Sequence, residues 1–381
     1  MGSKPLRFMG EENVRESLAG KLKTARSSAE MSTRAVAMRL AKRFPISHAT
    51  IANYESGRTV PPMDVLSALA DLYERPINWF LERGKGLAGV QYRNLKSRVR
   101  MSDLHRFEAD AQRWIDAYVA LELRLNRPLT PNVEVFRAEG DLGPDELSRR
   151  VRRLLNIQKE DEPIPSVVEV LERFGTRVLE NPTELRIDGM AARYGDEYVV
   201  VLNPTVPHDR TRLSAAHELA HVLYGDCETE EAATKATESR AFEFASHLLI
   251  TNTQLKEAFK GKSMVRLVQF KERFGISLAA MIYRAEKLSF ISKHEAKSLW
   301  IAFAERGWKT NEPGVVRQDR ATRFESLIEE ALTSNRLSMK EVADLCGVRP
   351  DAIRGRLDFA IGIRDGNVPV DEGTDTVQFP R

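Results

Sequence analysis

The sequence has few cysteines and no long apolar run. Its 381 residues include only Cys227 and Cys346, which are far apart, so a disulfide-stabilised extracellular scaffold is not expected. No apolar stretch approaches the roughly 20 residues that cross a membrane, and the N-terminus shows no signal-peptide pattern. We therefore expect a cytoplasmic protein without a membrane partner.

The net charge of +3 is unevenly distributed. Residues 1–100 carry 18 Lys and Arg against 9 Asp and Glu, a net charge of +9, so the remainder carries −6. A basic first part joined to an acidic body indicates that the first part meets a polyanion such as nucleic acid.

The length allows two or three domains, each with its own core. Periodicity and turn residues predict a mostly α fold with a small antiparallel sheet. The predicted segments are an N-terminal five-helix domain (1–83), a linker with a long helix (84–145), an α+β domain (146–290), a C-terminal helical region (291–365) and a flexible tail (366–381).

The most informative motif is His217-Glu218-Leu219-Ala220-His221, on a predicted helix that follows a buried strand. Two histidines four residues apart project from one helix face and can share a Zn²⁺ ion. Glu218, beside the open position of the metal, can move the proton of a bound water. The alternative is a buried helix whose histidines are ordinary core or surface residues.

A catalytic zinc needs a third protein ligand, and the next helix offers two side chains. Glu238 lies one turn before Ala241 on the apolar face, where a carboxylate is rare unless it is paired or bound to metal. His247 is nine residues further, more than about 13 Å along the helix, so both cannot bind one ion. We predict Glu238 as the ligand and His247 as a polar-face residue.

This pattern resembles the ImmA/IrrE-type metallopeptidases, which are gluzincin-like proteins with a His-His-Glu zinc site. The resemblance runs from about Leu147 to Leu288 and implies His217, His221 and Glu238 as zinc ligands and Glu218 as the catalytic glutamate. The sequence departs from the family at Phe242, where Asn is usual, and at Thr251, where Pro is frequent. The resemblance further implies a protein substrate, in particular a helix-turn-helix repressor.

The basic N-terminal part has the order of a helix-turn-helix domain. Ser32 is predicted to cap one helix and Ser47 the next, which runs from His48 to Glu55 and ends before Gly57. The pattern Ile46-Ser-x-x-Thr-Ile-x-x-Tyr-Glu-x-Gly-x-x-x-Pro resembles the Cro/C1-type (XRE) family. The stretch between Val36 and Ile46 is about one helical turn longer than usual in that family.

In such a module Ile51 and Leu66 belong to the core. The side chains predicted to face the major groove are His48, Ala49, Thr50 and Asn53, and those predicted to reach phosphates are Lys42, Arg43, Ser47 and Arg58. A dimer on a two-fold operator is the natural arrangement for so small a module. The alternative is a helical domain used for dimerisation or for docking to another protein.

The remaining segments are less specific. Met101–Leu125 is predicted as a long helix with an apolar stripe through Trp114, which indicates core or dimer packing. Leu337 to Leu357 forms a second helix-turn-helix-like pattern, opened by a Ser-x-x-Glu capping box. It is either a second DNA contact or, the interpretation we favour, a unit packed against the peptidase domain.

Two functions are compatible with this organisation. One is a DNA-binding transcriptional regulator with a zinc endopeptidase site that cleaves a repressor or other regulatory protein in a stress, mobile-element or defence response. The other is a non-proteolytic helix-turn-helix repressor or antitoxin-like regulator whose peptidase-like domain senses a ligand or binds a partner. An intact Glu218 favours the first.

Overall fold

The computed structural model describes residues 18–23, 25–26, 29, 31–73, 75, 77–81, 86–93, 99–130, 133, 142–157, 159, 161–228, 234–309 and 311–364. The first residues of the predicted five-helix domain (1–17), part of the predicted linker and the predicted tail 366–381 lie outside these residues. No helix in the described part of the chain is both long and apolar enough to span a membrane.

The described elements are mostly helical, and the predicted fold class is confirmed. The helices are α1 (Thr33–Leu40), α2 (His48–Glu55), α3 (Met63–Leu72), α4 (Ile77–Leu81), α5 (Met101–Leu125), α6 (Pro144–Leu154), α7 (Val167–Arg173), α8 (His208–Tyr224), α9 (Lys235–Leu249), α10 (Asn252–Ala258), α11 (Met264–Phe274), α12 (Leu278–Lys287), α13 (Lys293–Glu305), α14 (Arg323–Thr333), α15 (Met339–Cys346) and α16 (Pro350–Arg364). The strands are β1 (Leu87–Arg93), β2 (Arg177–Glu180), β3 (Gly189–Tyr194) and β4 (Glu197–Leu202).

The chain divides into two compact units. Unit 1 contains the residues up to Leu87, Ser97–Pro128 and Arg323–Arg364. Unit 2 contains Ala88–Lys96 and Leu129–Thr322. Unit 1 is therefore assembled from three separate stretches of sequence.

In unit 1, α1 and α2 form the helix-turn-helix pair. The side chains of Ser32 and Ser47 accept hydrogen bonds from Ala35 N and Thr50 N, so each serine caps the helix that it precedes. Residues 41–47 separate the two helices. Ile51 and Leu66 are buried in one core, as the sequence predicts.

The C-terminal helices α14–α16 belong to unit 1 and pack on α5. Phe324 meets the ring of Trp114 edge-on with centroids 6.0 Å apart, and Arg356 lies 4.7 Å above the same ring while pairing with Glu325. The stripe on α5 is thus core within one chain. The predicted packing of the C-terminal motif against the peptidase domain is wrong, because α15 and α16 belong to unit 1, where α15 packs on α5 and Arg356 lies over Trp114.

The sheet of unit 2 is mixed and has four strands in the order β1-β3-β4-β2. β3 pairs antiparallel with β4, whereas β2 pairs parallel with β4 from Arg177↔Val199 to Glu180↔Leu202. The sequence predicts an antiparallel sheet and places the segment of β1 in the linker. The difference arises because β4 inserts between β2 and β3, and because β1 comes from the predicted linker.

Helix α8 packs on β3, β4, α7 and α9, and a buried ion pair anchors its first half. The Arg212 guanidinium donates to Asp319 Oδ2 at 2.9 Å and to Ile164 O at 2.7 Å. Asp319 also accepts from Val167 N at 2.6 Å, at the start of α7. The helix that carries the two histidines is therefore fixed to its neighbours from within the core.

Candidate metal centre

Helix α8 carries His217 and His221 into the interior. The helix ends at Gly225, whose φ of 74° lies in the left-handed region that favours glycine. Both histidines are fully buried, and their ring centroids are 4.8 Å apart. The spacing of four residues thus places two imidazoles side by side where water does not solvate them.

Glu238 meets both histidines from the first turn of α9. Its Oε2 lies 3.2 Å from His217 Nε2, and its Oε1 lies 3.3 Å from His221 Nε2. The start of α9 is fixed by a capping box between Thr234 and Thr237. The three potential ligand atoms lie within 4.8 Å of one another.

The arrangement of these atoms suits metal binding better than hydrogen bonding among the three side chains. Among the described residues, His217 Nε2, His221 Nε2 and Glu238 Oε1 are buried without a hydrogen-bond partner, because the short distances lack hydrogen-bond geometry. Buried polar atoms normally have hydrogen-bond partners, so three such atoms that converge on one point indicate a binding site for an ion. Two imidazole nitrogens and a carboxylate are a donor set that suits a divalent metal such as zinc.

Asp226 orients one of the imidazoles. Its Oδ2 lies 2.8 Å from His221 Nδ1, and its Oδ1 accepts from Arg240 Nη2 at 2.7 Å. Burial lowers the pKa of His221, but the hydrogen bond to Asp226 and the nearby negative charges of Glu238 and Glu218 outweigh it and raise that pKa to about 9. Burial lowers the pKa of His217 to about 3.

Glu218 lies beside the cluster as a buried carboxyl group. Neither of its oxygens has a hydrogen-bond partner in the described part of the chain, and burial raises its pKa to about 8. A Cβ atom at Gly189, the first residue of β3, would come within 3.2 Å of Glu218 Oε1. Glycine therefore lets the strand approach the carboxyl group closely, and the raised pKa suits a group that takes up a proton.

Three other polar side chains of α8 and α9 lie outside the cluster of His217, His221 and Glu238. His247 is not a polar-face residue as predicted: it is 8% exposed, and its Nδ1 lies 2.7 Å from Arg284 Nη2. The hydroxyl group of Tyr224 donates to Leu142 O. His208 is exposed at the start of α8, nine residues before His217.

Both departures from the family pattern have a local structural explanation. The side chain of Thr251 accepts from Gln254 N and caps α10, a role that proline lacks the hydroxyl group to perform. The ring of Phe242 meets Tyr283 edge-on, with centroids 5.4 Å apart. Neither residue belongs to the cluster of His217, His221 and Glu238.

Three residues at the site were not predicted. Asp226 is five residues after His221, immediately beyond the glycine that ends α8, and the motif itself gives no sign of a group that orients the imidazole. Gly189 carries no chemical group that could have drawn attention to it. Arg93 lies in β1, within the predicted linker, where only Val90 and Tyr92 indicated a strand.

In unit 1, the residues predicted to contact DNA lie on and around α2. Lys42, Arg43, Ser47, His48, Ala49 and Arg58 are exposed, and Thr50 and Asn53 are partly exposed. The hydroxyl group of Ser47 is engaged in the helix cap, 3.0 Å from Thr50 Oγ1. The arrangement leaves the polar face of α2 accessible to a groove.

Two family models match separate stretches of the chain. Residues 171–286 match the IrrE N-terminal-like domain of the peptidase M78 family, and residues 17–78 match a helix-turn-helix domain. The first match contains β2, β3, β4 and all four residues of the site, and it excludes β1. Searches of the curated proteins and of the solved structures gave no match.

Proposed function

Because the chain joins a helix-turn-helix domain to an IrrE N-terminal-like peptidase domain, we propose that it is a DNA-binding transcriptional regulator with a zinc endopeptidase site. The supporting observation is the convergence of His217, His221 and Glu238 beside the buried Glu218. The proposed substrate is a regulatory protein, such as a helix-turn-helix repressor, in a stress, mobile-element or defence response. The proposed functional modules are 1–83 for DNA and 146–290 for peptide cleavage.

In this proposal His217, His221 and Glu238 hold Zn²⁺. Bound zinc would supply Lewis acidity, which makes a water molecule more acidic and polarises a peptide carbonyl group. Asp226 accepts the Nδ1 proton of His221 and so keeps the lone pair of Nε2 directed at the cluster. The buried pair of Arg212 and Asp319 keeps α8 in place.

Glu218 is the proposed proton carrier. Its carboxylate takes a proton from the attacking water and later delivers it to the amide nitrogen that leaves the cleaved bond. A carboxyl group whose pKa is raised by burial holds that proton more readily than an exposed one would. No described side chain makes a hydrogen bond to Glu218 that would hold the proton in place.

Helix α2 is the proposed reading element for DNA. His48, Ala49, Thr50 and Asn53 would face base edges, while Lys42, Arg43, Ser47 and Arg58 would contact phosphates. A dimer on a two-fold operator would double a small set of base contacts. Binding to DNA would then concentrate the peptidase near regulators of the same genes.

The test is proteolysis by the zinc-loaded full chain and by its Glu218→Gln variant. Incubated with regulatory proteins encoded nearby, the wild-type chain should produce a discrete cut that Glu218→Gln abolishes. The variant keeps the shape of the side chain and all three proposed ligands, so loss of cleavage reports on the proton carrier. Full regulation in cells by Glu218→Gln would instead favour the non-proteolytic regulator.

A further inference from the structure

β3 is the strand that borders the proposed catalytic glutamate. Gly189 begins β3, and its backbone lies so close that an added Cβ would be 3.2 Å from Glu218 Oε1. One edge of β3 is paired with β4 from Gly189↔Leu202 to Tyr194↔Glu197. The other edge of β3 therefore belongs to the strand that lies next to Glu218. An extended peptide binds proteins by adding itself to such an edge.

That edge is already occupied by β1. The strand order places β1 beside β3, and Asp188 N donates to Arg93 O at 3.1 Å at the entrance to β3. Gln91 is buried, and its Nε2 donates at 3.2 Å to the backbone oxygen of Asp226, whose side chain holds His221. β1 thus lies along the peptide edge and contacts the support of the metal cluster.

Arg93, the last residue of β1, has a positively charged side chain near the helix that carries Glu238. The Arg93 guanidinium lies 6.0 Å from the ring centroid of Phe242, on the helix that carries Glu238. Its Nε is buried without a hydrogen-bond partner among the described residues. The negatively charged groups that interact electrostatically with this guanidinium include the carboxylates of Asp188, Glu238 and Glu218.

β1 is also easier to displace from the sheet than the buried strand β4. Only two of its seven residues are buried, whereas five of the six residues of β4 are. Gly89, in the middle of β1, has a φ of 57°, which interrupts the extended backbone. Little apolar burial and an irregular backbone lower the cost of opening a strand locally.

We propose that β1 is the resident occupant of the peptide-binding edge of this site, and that an extended substrate peptide must replace it on β3. This inference rests on the proposed peptidase function. Because β1 is part of the same chain, it competes at an effective concentration in the millimolar range, so weak peptides would be excluded. In the sequence β1 lies between the two family-matched regions, outside both.

The test measures peptide binding without cleavage, in the full chain carrying Glu218→Gln. The probe is a fluorescein-labelled synthetic peptide with the sequence of residues 86–93, titrated by fluorescence anisotropy. Gly89→Ala strains β1, because alanine tolerates a φ of 57° poorly, and should bind the probe about fivefold more tightly. Val90→Pro, which removes a backbone donor from β1, should tighten binding further.

Gly307→Ala is the matched control. Gly307 also has a positive φ, 69°, and an added Cβ meets nothing within 4 Å, so its backbone strain is similar but lies outside the edge. Probe affinity should be unchanged in this control. Unchanged or weaker binding in both β1 variants, with circular dichroism and zinc content as in the control, would overturn the inference.

This outcome is separable from the fate of the proposed function. If the wild-type chain cleaves a protein but neither β1 variant binds the probe more tightly, only the inference about β1 is lost. If the wild-type chain neither binds zinc nor cleaves, the peptidase function fails, while the anisotropy result still decides whether β1 occupies a peptide edge.

Discussion

Asp226 Oδ2 lies 2.8 Å from Nδ1 of His221, although only four residues separate the two in the sequence. The turn at Gly225 brings the carboxylate back beneath the histidine that ends the motif. Through its other oxygen, Asp226 binds Arg240 of α9, the helix that carries Glu238. One side chain thus links the two helices that provide the candidate ligands.

Replacing Asp226 by Asn should weaken zinc binding about 10- to 100-fold, because an imidazole loses basicity and orientation when its carboxylate partner is removed. Competition with a chromogenic chelator measures the affinity. Asp196→Asn, the same change at an exposed position of the turn between β3 and β4, is the control and should leave the affinity unchanged. Equal affinities in the two variants would show that Asp226 does not support the site.

The buried pair of Arg212 and Asp319 predicts a stability effect. Asp319→Ala should lower the free energy of unfolding by about 3–5 kcal/mol, because it leaves the Arg212 guanidinium buried without its charge partner. Urea denaturation measures the change. Asp161→Ala, at an exposed pair with Arg273, should cost no more than about 1 kcal/mol. Similar losses in both variants would contradict the anchoring role of Asp319.

His247 predicts a pH dependence of stability. Burial, and then the charge of Arg284, lower its pKa from 6.5 to about 3, so the unfolded chain binds an extra proton between these values. Its contribution is complete above pH 6.5 and is lost as the pH falls towards 3, by up to about 1.4 kcal/mol per pH unit. The difference in unfolding free energy between wild type and His247→Gln should therefore shrink as the pH falls.

His247 has a second contact, with Asp145, that would give the opposite pH dependence. Asp145 Oδ1 lies 3.0 Å from the same Nδ1 that accepts from Arg284 at 2.7 Å. Arginine always donates, so Nδ1 accepts and His247 is neutral. If the charge of Asp145 had the larger effect instead, it would favour the protonated ring in the folded state, and the difference would grow as the pH falls.

Arg58 predicts the salt dependence of DNA binding. If its exposed side chain contacts a phosphate, Arg58→Ala should reduce the slope of log K against log salt concentration by about 0.9. Binding to the promoter of its own gene, titrated at several salt concentrations, gives the slope. Arg306→Ala, an exposed arginine of unit 2, should leave it unchanged. A slope equal to wild type in Arg58→Ala would remove Arg58 from the interface.

Local sequence patterns predicted the limits of several helices and one of the candidate metal ligands. The limits of α2 and α5 follow from caps and apolar spacing, and Glu238 was identified because a carboxylate on the apolar face of a helix needs a partner. These features depend on residues within a few turns of one another. Their physical causes can be read along the chain.

Features that depend on distant contacts were not predictable in the same way. β1 lies beside β3 in the sheet, whereas its short sequence, which Gly89 interrupts, is assigned to the linker by sequence alone. The parallel pairing of β2 with β4 requires knowing the strand order. The packing of Phe324 on Trp114 joins residues more than two hundred positions apart.

The central claim is that His217, His221 and Glu238 form a zinc site, and metal stoichiometry tests it most directly. Elemental analysis of the purified, zinc-reconstituted chain should give one zinc per molecule. The same value is expected for Glu218→Gln, and a value near zero for His221→Ala and Glu238→Ala, with folding checked by circular dichroism. A folded wild-type chain that retains no zinc, or ligand variants that retain it fully, would contradict the account.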